Sequence, residues 1–296
     1  QLSGGAIITG GTQADEPDVP GSPITIYAGS LETHINWAGA VATGENAGFG
    51  ITVAINDIDR DTEAIIGVAD DAVDTTLPST DTSINTSGDL KVNASAVGDL
   101  WAFSVAAAVS GVNTPEAPNP DESSESVDGK KAKFGIGLSA NVSLNTVLDD
   151  VDAYIQDAGS INAAAVDVLG ANSSVLNAFA IAASVTLPNP ANPNKAQAAI
   201  AGSFSKNTLT GNTKANIKGE NTAQAKKLVL YSQSKAELAA TRTGSMIAIS
   251  AGLGVTVDRG SQVSIAVAGS VSINEISNTT ESIFSGVEDD TDMANP

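Results

Sequence analysis

Residues 263–274, VSIAVAGSVSIN, alternate between two kinds of side chain. Val and Ile occupy most positions of one alternate set, and Ser, Ala and a final Asn occupy the other. Successive side chains of an extended chain point to opposite faces, so the pattern predicts a β-strand with one apolar face and one small-residue face. At about twelve residues, this strand is roughly twice the ordinary length. We predict that the apolar face points into a thin core and that the small face packs against another layer or another molecule.

Three further segments, 48–56, 134–145 and 198–207, repeat this pattern and also end in Asn. A small residue, and two positions later a large apolar residue, follow each Asn at a constant distance: Ala64 and Ile66, Ala153 and Ile155, Ala215 and Ile217, Ser282 and Phe284. Asn caps turns and tolerates left-handed backbone. We therefore interpret four residues as corners that end the long strands: Asn56, Asn145, Asn207 and Asn274.

A second long alternating strand precedes each of these segments, at 34–42, 100–111, 175–187 and 246–257. Short strands and loops of very different length, some acidic and some rich in Pro, lie between the long strands. Self-similar units with variable loops are the signature of a repeat array. We predict one elongated domain over 1–296, a segment of a longer chain, with about four units at 24–66, 90–155, 160–217 and 228–284.

The predicted fold is all-β: a β-solenoid or β-helix-like rod of stacked long and short strands. Two chain paths fit the unit. The segment DRGSQ, residues 258–262, is short enough to close a hairpin, and strands of this length are wide for a parallel β-helix. An antiparallel, hairpin-like path is therefore favoured over a parallel one.

Composition excludes several functions. The formal net charge is −20 with only 14 Lys and Arg, so neither a nucleic acid nor an anionic membrane surface is an expected partner. The absence of Cys excludes thiol catalysis, thiolate metal sites and disulfides. No run of about 18 apolar residues is present, and membrane insertion is not expected. Aromatic residues make up 4% of the chain, which is typical of a thin, layered core rather than of a compact globule.

These units resemble the repeats of very large secreted bacterial adhesins and toxins, notably the fusobacterial leukotoxin family and filamentous haemagglutinin-like exoproteins. The residues that carry the resemblance are the G-x-G-x-x-x-x-V-x-x-N pattern within 134–145 and the segments TEAII, VDAYI, TKANI and TESIF that follow the four Asn residues. The resemblance implies an elongated protein of the bacterial cell surface or extracellular space. It supplies no catalytic residues.

Six aspartates are candidate ligands for a cation: Asp57, Asp59, Asp61, Asp149, Asp150 and Asp152. They occupy equivalent places in two successive units, and their oxygens suit Ca²⁺. An EF-hand loop is excluded because Thr62 and Val68 stand where Gly and Glu would be needed. The alternative is a solvated acidic edge that deters unwanted strand pairing. No other cofactor is expected.

Catalysis is not expected. His34 is the only histidine, and no G-x-S-x-G motif accompanies it, so we interpret it as a strand-face residue. Trp37 and Trp101, the two tryptophans, are assigned to packing in the core or at an edge. We predict a non-catalytic structural or adhesive module of a secreted or cell-surface filament. Its expected partners are copies of itself, further repeats of its own chain, or a host-surface or matrix ligand. The alternative is a β-helix protein that binds or cleaves carbohydrate.

Overall fold

All regular structure in the described part of the chain is β-strand. The computed structural model describes residues 7–9, 23–44, 47–67, 83–111, 135–156, 158–187, 196–219, 228–257 and 263–288. The strands are β1 Ile7–Thr9, β2 Ile24–Gly44, β3 Ala47–Gly67, β4 Ser83–Asn85, β5 Leu90–Ser110, β6 Gly135–Gln156, β7 Ser160–Thr186, β8 Ala196–Lys218, β9 Leu228–Thr256, β10 Val263–Ser285 and β11 Val287–Glu288. Over these ranges, no helix is long and apolar enough to cross a membrane.

The strands form two parallel sheets that the chain visits alternately. One sheet has the order β10-β8-β6-β3; the other contains β2, β5, β7 and β9 in that order, with the short strands β1, β4 and β11 beside them. Each coil of the solenoid is one long strand from each sheet, and four coils stack: β2–β3, β5–β6, β7–β8 and β9–β10. The predicted all-β solenoid is confirmed.

The antiparallel path favoured from the sequence is wrong, because every strand pair is parallel. The turns expected to close hairpins join strands of different sheets. After each strand of one sheet, the chain returns through a strand of the other sheet. Neighbouring strands within a sheet are therefore one coil apart and run in the same direction. The loop 258–262 and the acidic and Pro-rich loops lie outside the described residues.

The long and short strands inferred from the sequence are continuous. β3 and β5 are each 21 residues long, and β9 reaches 29. No corner interrupts β3 at Asn56, because the Asn side chain points between the two sheets rather than capping a turn. The equivalent Asn residues occupy the same place in β6, β8 and β10, and the sheet register places each one opposite the Asn of the neighbouring strand.

Half of each coil has its small residues inside and its apolar residues outside. This thin half comprises 35–44, 47–56, 101–110, 136–145, 177–186, 198–207, 247–256 and 263–274. In β3, Gly48 and Gly50 are buried whereas Phe49 and Ile51 are more than half exposed. The prediction that Val and Ile point into the core is therefore wrong for this half. The small face does pack against another layer, which is the opposite sheet.

The close approach of the two sheets explains this inversion. A Cβ atom added at Gly50 would lie 2.5 Å from the carbonyl oxygen of Ala107 in the opposite sheet. One added at Gly48 would lie 2.7 Å from the Val109 carbonyl oxygen. At these points the sheets are too close for any side chain, so larger residues of the alternating pattern have to face outward.

The other half of each coil, the thick half, has a conventional apolar core. Ile66, Ile155 and Ile217, which follow the Asn residues, are fully buried. They pack in one cluster with residues at the start of the opposite strands, including Leu90 and Val166. This cluster holds the coils together by burial of apolar surface, whereas the thin half depends on close backbone contact and polar side chains.

Replacing Gly50 by Ala is expected to destabilise the fold by about 1–3 kcal/mol, because the added methyl forces the sheets apart. Urea denaturation followed by circular dichroism measures the change. Gly202 is the matched control, since a Cβ atom there meets nothing within 4 Å. Gly202→Ala should be neutral or slightly stabilising, because Gly weakens a strand interior. Equal effects of the two substitutions would contradict the close packing described here.

Candidate functional site

An uninterrupted row of asparagine side chains, here called the Asn row, runs through all four coils. The amide Nδ2 of Asn56 donates to Oδ1 of Asn145 at 2.8 Å, and Asn145 donates to Asn207 at 2.8 Å. Asn207 donates to Asn274 at 3.0 Å. Because each side chain donates to the next in the same sense, the row has a direction.

The Asn row also connects the two sheets. The same Nδ2 atoms donate to carbonyl oxygens of the opposite sheet: Asn56 to Trp101 at 3.0 Å, Asn145 to Asn177 at 2.9 Å, Asn207 to Ile247 at 2.8 Å and Asn274 to Met246 at 3.2 Å. In Asn56, Asn145 and Asn207 the side-chain amide thus donates both across the core and along the stack, whereas in Asn274 it donates only across the core. The corner role predicted for these residues is wrong; they hold the sheets together from the inside.

Hydroxyl groups continue this polar lining across the thin half. Ser143 Oγ donates to the Phe179 carbonyl oxygen at 2.6 Å and lies 2.8 Å from Ser104 Oγ. Ser139 Oγ donates to the Ala106 carbonyl oxygen at 3.0 Å. These short side chains satisfy buried polar atoms within a space too narrow for Leu or Ile. The thin half is therefore lined by short polar side chains, several of which hydrogen-bond to the opposite sheet.

A buried ion pair lies just beyond the Asn row. Arg60 and Asp149 have 4% and 0% of their side chains exposed. Arg60 Nε donates to Asp149 Oδ1 at 3.1 Å, its Nη2 donates to Oδ2, and its Nη1 donates to the Val97 carbonyl oxygen at 2.8 Å. Ser174 Oγ donates to Asp149 Oδ2 at 3.2 Å. The pair joins two coils and both sheets.

Asp149 is one of the six predicted calcium ligands, and its carboxylate is committed to this ion pair. Asp150 accepts from the Asn212 backbone N–H at 2.6 Å, and Asp152 lies 3.5 Å from Lys214 Nζ. Burial raises the pKa of Asp152, and the Lys214 ammonium partly opposes that rise. Asp57, Asp59 and Asp61 lie at alternate positions along the outer face of β3. Across the described residues, no three acidic or histidine side chains come together as metal ligands, so the structure does not bring the six predicted aspartates to one place.

His34 occupies a core position of the first coil. Its register partners along the stack are Leu100 and, beyond it, Leu176 and Met246. At the open end of the solenoid its side chain is 50% exposed, and Nε2 lies 3.6 Å from Glu32. The residue takes the place of an apolar core side chain on a strand face.

A row of stacked aromatic rings lies on the outer face of the sheet that contains β2, β5, β7 and β9. Trp37 stacks on Phe103 at 4.3 Å between ring centroids, and Phe103 stacks on Phe179 at 5.0 Å. Trp101 flanks the row and donates through Nε1 to Asp99 at 2.6 Å. Trp37 is 70% exposed and lies on β2, the edge strand of its sheet, so of the two predicted places, core or edge, it occupies the edge. The aromatic face is the name used for this surface, which consists of the stacked rings and the exposed aliphatic residues of the thin half on β2, β5, β7 and β9, including Ile35, Val41, Val105, Ile181 and Leu253.

The two ends of the stack differ in chemistry. The β2–β3 end carries Glu32 and Asn56, whereas the β9–β10 end carries Arg242 and Asn274. Arg242 lines a shallow cleft with Met246, Ile276 and Asn278. Burial lowers the pKa of the Arg242 guanidinium, and the nearby Asp149 carboxylate partly offsets that effect.

Comparisons with protein-family models, with curated proteins and with solved structures found no match to this chain.

Sequence reasoning missed the ion pair, although the signal was present. Arg60 follows Asn56 at the same distance as Asp149 follows Asn145, and the sheet register places the two residues directly opposite each other. Extending the alignment past the Asn residues would have paired a cation with an anion in adjacent coils. The sequence does not indicate that Arg60 and Asp149 face inward. Acidic residues flank Arg60 in β3, so both faces of this part of the strand carry charged side chains and neither resembles a core face.

Proposed function

We propose that this chain is a non-catalytic structural and adhesive module of a bacterial extracellular or cell-surface filament, in which coils continue from one copy or repeat to the next. The observation that carries the proposal is the Asn row with its two complementary ends. Within the described part of the chain, no group donates to Asn56 Oδ1 at one end. At the other end, Asn274 Nδ2 donates to a single acceptor, Met246.

Continuing the observed register beyond the last coil matches donor to acceptor. A second copy placed with its β3 beside β10 brings its Asn56 opposite Asn274, in the same way that Asn274 lies opposite Asn207. The free N–H of Asn274 then donates to the free Oδ1 of Asn56, and the row continues. In the other sheet, the same step places Glu32 of the second copy opposite Gly244, two residues from Arg242. The amide row favours this contact, and so do the opposite charges of Glu32 and Arg242.

The strand edges support growth in one direction. β3 and β10 are the outermost strands of their sheet, and each offers a long row of backbone N–H and C=O groups for pairing. A contact between two different ends is heterologous and yields an open filament rather than a closed dimer. The same register also brings Asp57 opposite Glu275 and Glu63 opposite Glu281. Salt screens such repulsion, so assembly should strengthen as ionic strength rises.

Asn274→Asp tests the proposal. Its carboxylate still accepts from Asn207, but it cannot donate to Asn56 Oδ1 of the next copy. We expect wild-type protein to form unbranched rods whose mass grows with protein and NaCl concentration, as measured by sedimentation velocity and electron microscopy. We expect the variant to associate end to end at least about tenfold more weakly, since an unpaired charge at a contact costs more than 1.4 kcal/mol.

Asn93→Asp is the matched control, because it adds the same charge to the outer face of β5, away from both ends. It should leave rod formation unchanged. A wild-type protein that stays monomeric at every concentration and salt level would overturn the proposal, as would rods that form equally well with Asn274→Asp.

One observation favours a second candidate, a carbohydrate-binding module. The exposed Trp37 and its stacked neighbours form a flat aromatic surface of the kind that sugar rings pack against. Titrating polysaccharides while following tryptophan fluorescence tests this candidate. Saturable quenching that is lost in Trp37→Ala would support it, and an unchanged spectrum with every sugar would remove it.

A further inference from the structure

The aromatic face is a large apolar surface exposed to solvent. Its outer residues include Ile35 at 61% exposure, Trp37 at 70% and Val41 at 77% on β2. Val105, Ile181 and Leu253 continue it over the next three strands at 47%, 48% and 58%. Soluble monomers rarely expose contiguous apolar patches of more than a few hundred Å², and larger patches mark contact sites. A face that spans all four coils requires a partner that is equally flat and apolar.

The dimensions of this face match those of a protein–protein interface. About nine residues along each of four strands, at roughly 3.3 Å per residue and 4.8 Å between strands, give a surface of about 550 Å². Two such surfaces in contact bury roughly 1,100 Å² in total, which is just above the minimum of about 1,000 Å² for a specific interface. The same face on a second copy has the required flatness, strand spacing and apolar character.

We propose that the aromatic face binds the aromatic face of a second copy, around a two-fold axis parallel to the coil stack. Because this axis passes through the thin half, the thick halves of the two copies extend to opposite sides. Lys91, Asp167 and Glu237, on the outer face of the thick half, then stay in water instead of being buried against their counterparts. Such a contact is isologous, which means that both copies use the same surface and none is left for a third copy. The pairing therefore gives a dimer of solenoids.

A lipid surface is a poorer occupant of the same face. β2 and β9 border the face at the two ends of the stack, and their backbone groups would enter hydrocarbon without partners. The chain's net charge of −20 also opposes binding to anionic headgroups. Lateral pairing of two copies leaves both strand edges in water. It does not depend on end-to-end growth, so it stands or falls separately from the proposed filament.

The tryptophans make the pairing directly measurable. Trp37 and Trp101 are the chain's two tryptophans, and both lie on this face. In Asn274→Asp protein, in which end-to-end contacts are weakened, we expect a monomer–dimer equilibrium by sedimentation. The tryptophan emission should shift to shorter wavelength as the dimer forms. Val105→Asp and Val41→Asp, each added to that protein, should weaken dimerisation at least about tenfold by burying a charge.

Ser95→Asp on the same strand as Val105, but on the outer face of the thick half, should leave the dimer unchanged. Val41→Asp lies on the outermost strand and keeps the test valid if Val105→Asp fails to fold. A monomer at all concentrations would overturn the pairing, and so would a dimer that persists in folded Val105→Asp and Val41→Asp. An emission shift seen only with phosphatidylcholine vesicles would assign the face to lipid, and one seen only with polysaccharide would assign it to sugar; either result would overturn the proposal.

Discussion

Asp149→Leu should destabilise the protein by about 3–5 kcal/mol, the expected cost of leaving one member of a buried ion pair without its partner. Arg60 would keep its charge in a site where only 4% of its side chain is exposed. Its remaining hydrogen bond, to the Val97 carbonyl oxygen, cannot replace a bidentate carboxylate. Urea denaturation monitored by circular dichroism measures the loss.

The double variant Arg60→Met/Asp149→Leu separates charge from packing. Buried ion pairs can often be exchanged for apolar residues of similar volume at little cost, so the double variant should recover most of the lost stability. Glu275→Gln is the surface control. It breaks the Lys206–Glu275 contact, in which 33% and 56% of the side chains are exposed, and should cost less than about 1 kcal/mol. A double variant as unstable as Asp149→Leu would show that shape, not charge, dominates this site.

Asn145→Leu is the second substitution with a large expected effect and should lower the free energy of unfolding by about 2–4 kcal/mol. Asn145 accepts from Asn56 and donates to Asn207, so its loss interrupts the Asn row in both directions. Asn207 Oδ1 would lose its donor, and the Asn177 carbonyl oxygen would lose the Asn145 amide. Asn56 Nδ2 would keep only its bond to the Trp101 carbonyl oxygen. The branched Leu side chain also has to fit a layer otherwise lined with small residues.

Asn93→Leu makes the same exchange on the outer face of β5 and should change stability by less than about 0.5 kcal/mol. Thermal unfolding and urea denaturation of both variants give the comparison. If Asn145→Leu were as mild as Asn93→Leu, the Asn row would be a passive consequence of the repeat rather than a source of stability.

The repeat and its register could be predicted from the sequence. The four segments aligned on Asn are the four strands of one sheet, and their Asn residues face one another along the stack. Ala64 and Ile66, with their counterparts in the next two coils, form part of the buried core. Local alternation and a constant spacing within one chain were sufficient for this, because similar coils stack equivalent positions.

The direction of the faces could not be predicted in the same way. Alternation separates two faces but does not say which one meets the other sheet. Burial of Val and Ile was the expected choice, yet Phe49 and Ile51 are exposed while Gly48 and Gly50 are buried. The deciding quantity is the distance between the sheets, which only the packed structure contains.

Alternation and spacing along the chain were therefore enough to establish an all-β solenoid of stacked coils in which Asn recurs at one layer. Only the tertiary structure decided that the coils are parallel, that Asn56 and its counterparts bond along and across the stack, and that Arg60 meets Asp149. It also decided that the apolar residues of the thin half are turned to solvent. The physical reason is that period and spacing are local properties of a chain, whereas the separation of two sheets depends on all the side chains that lie between them.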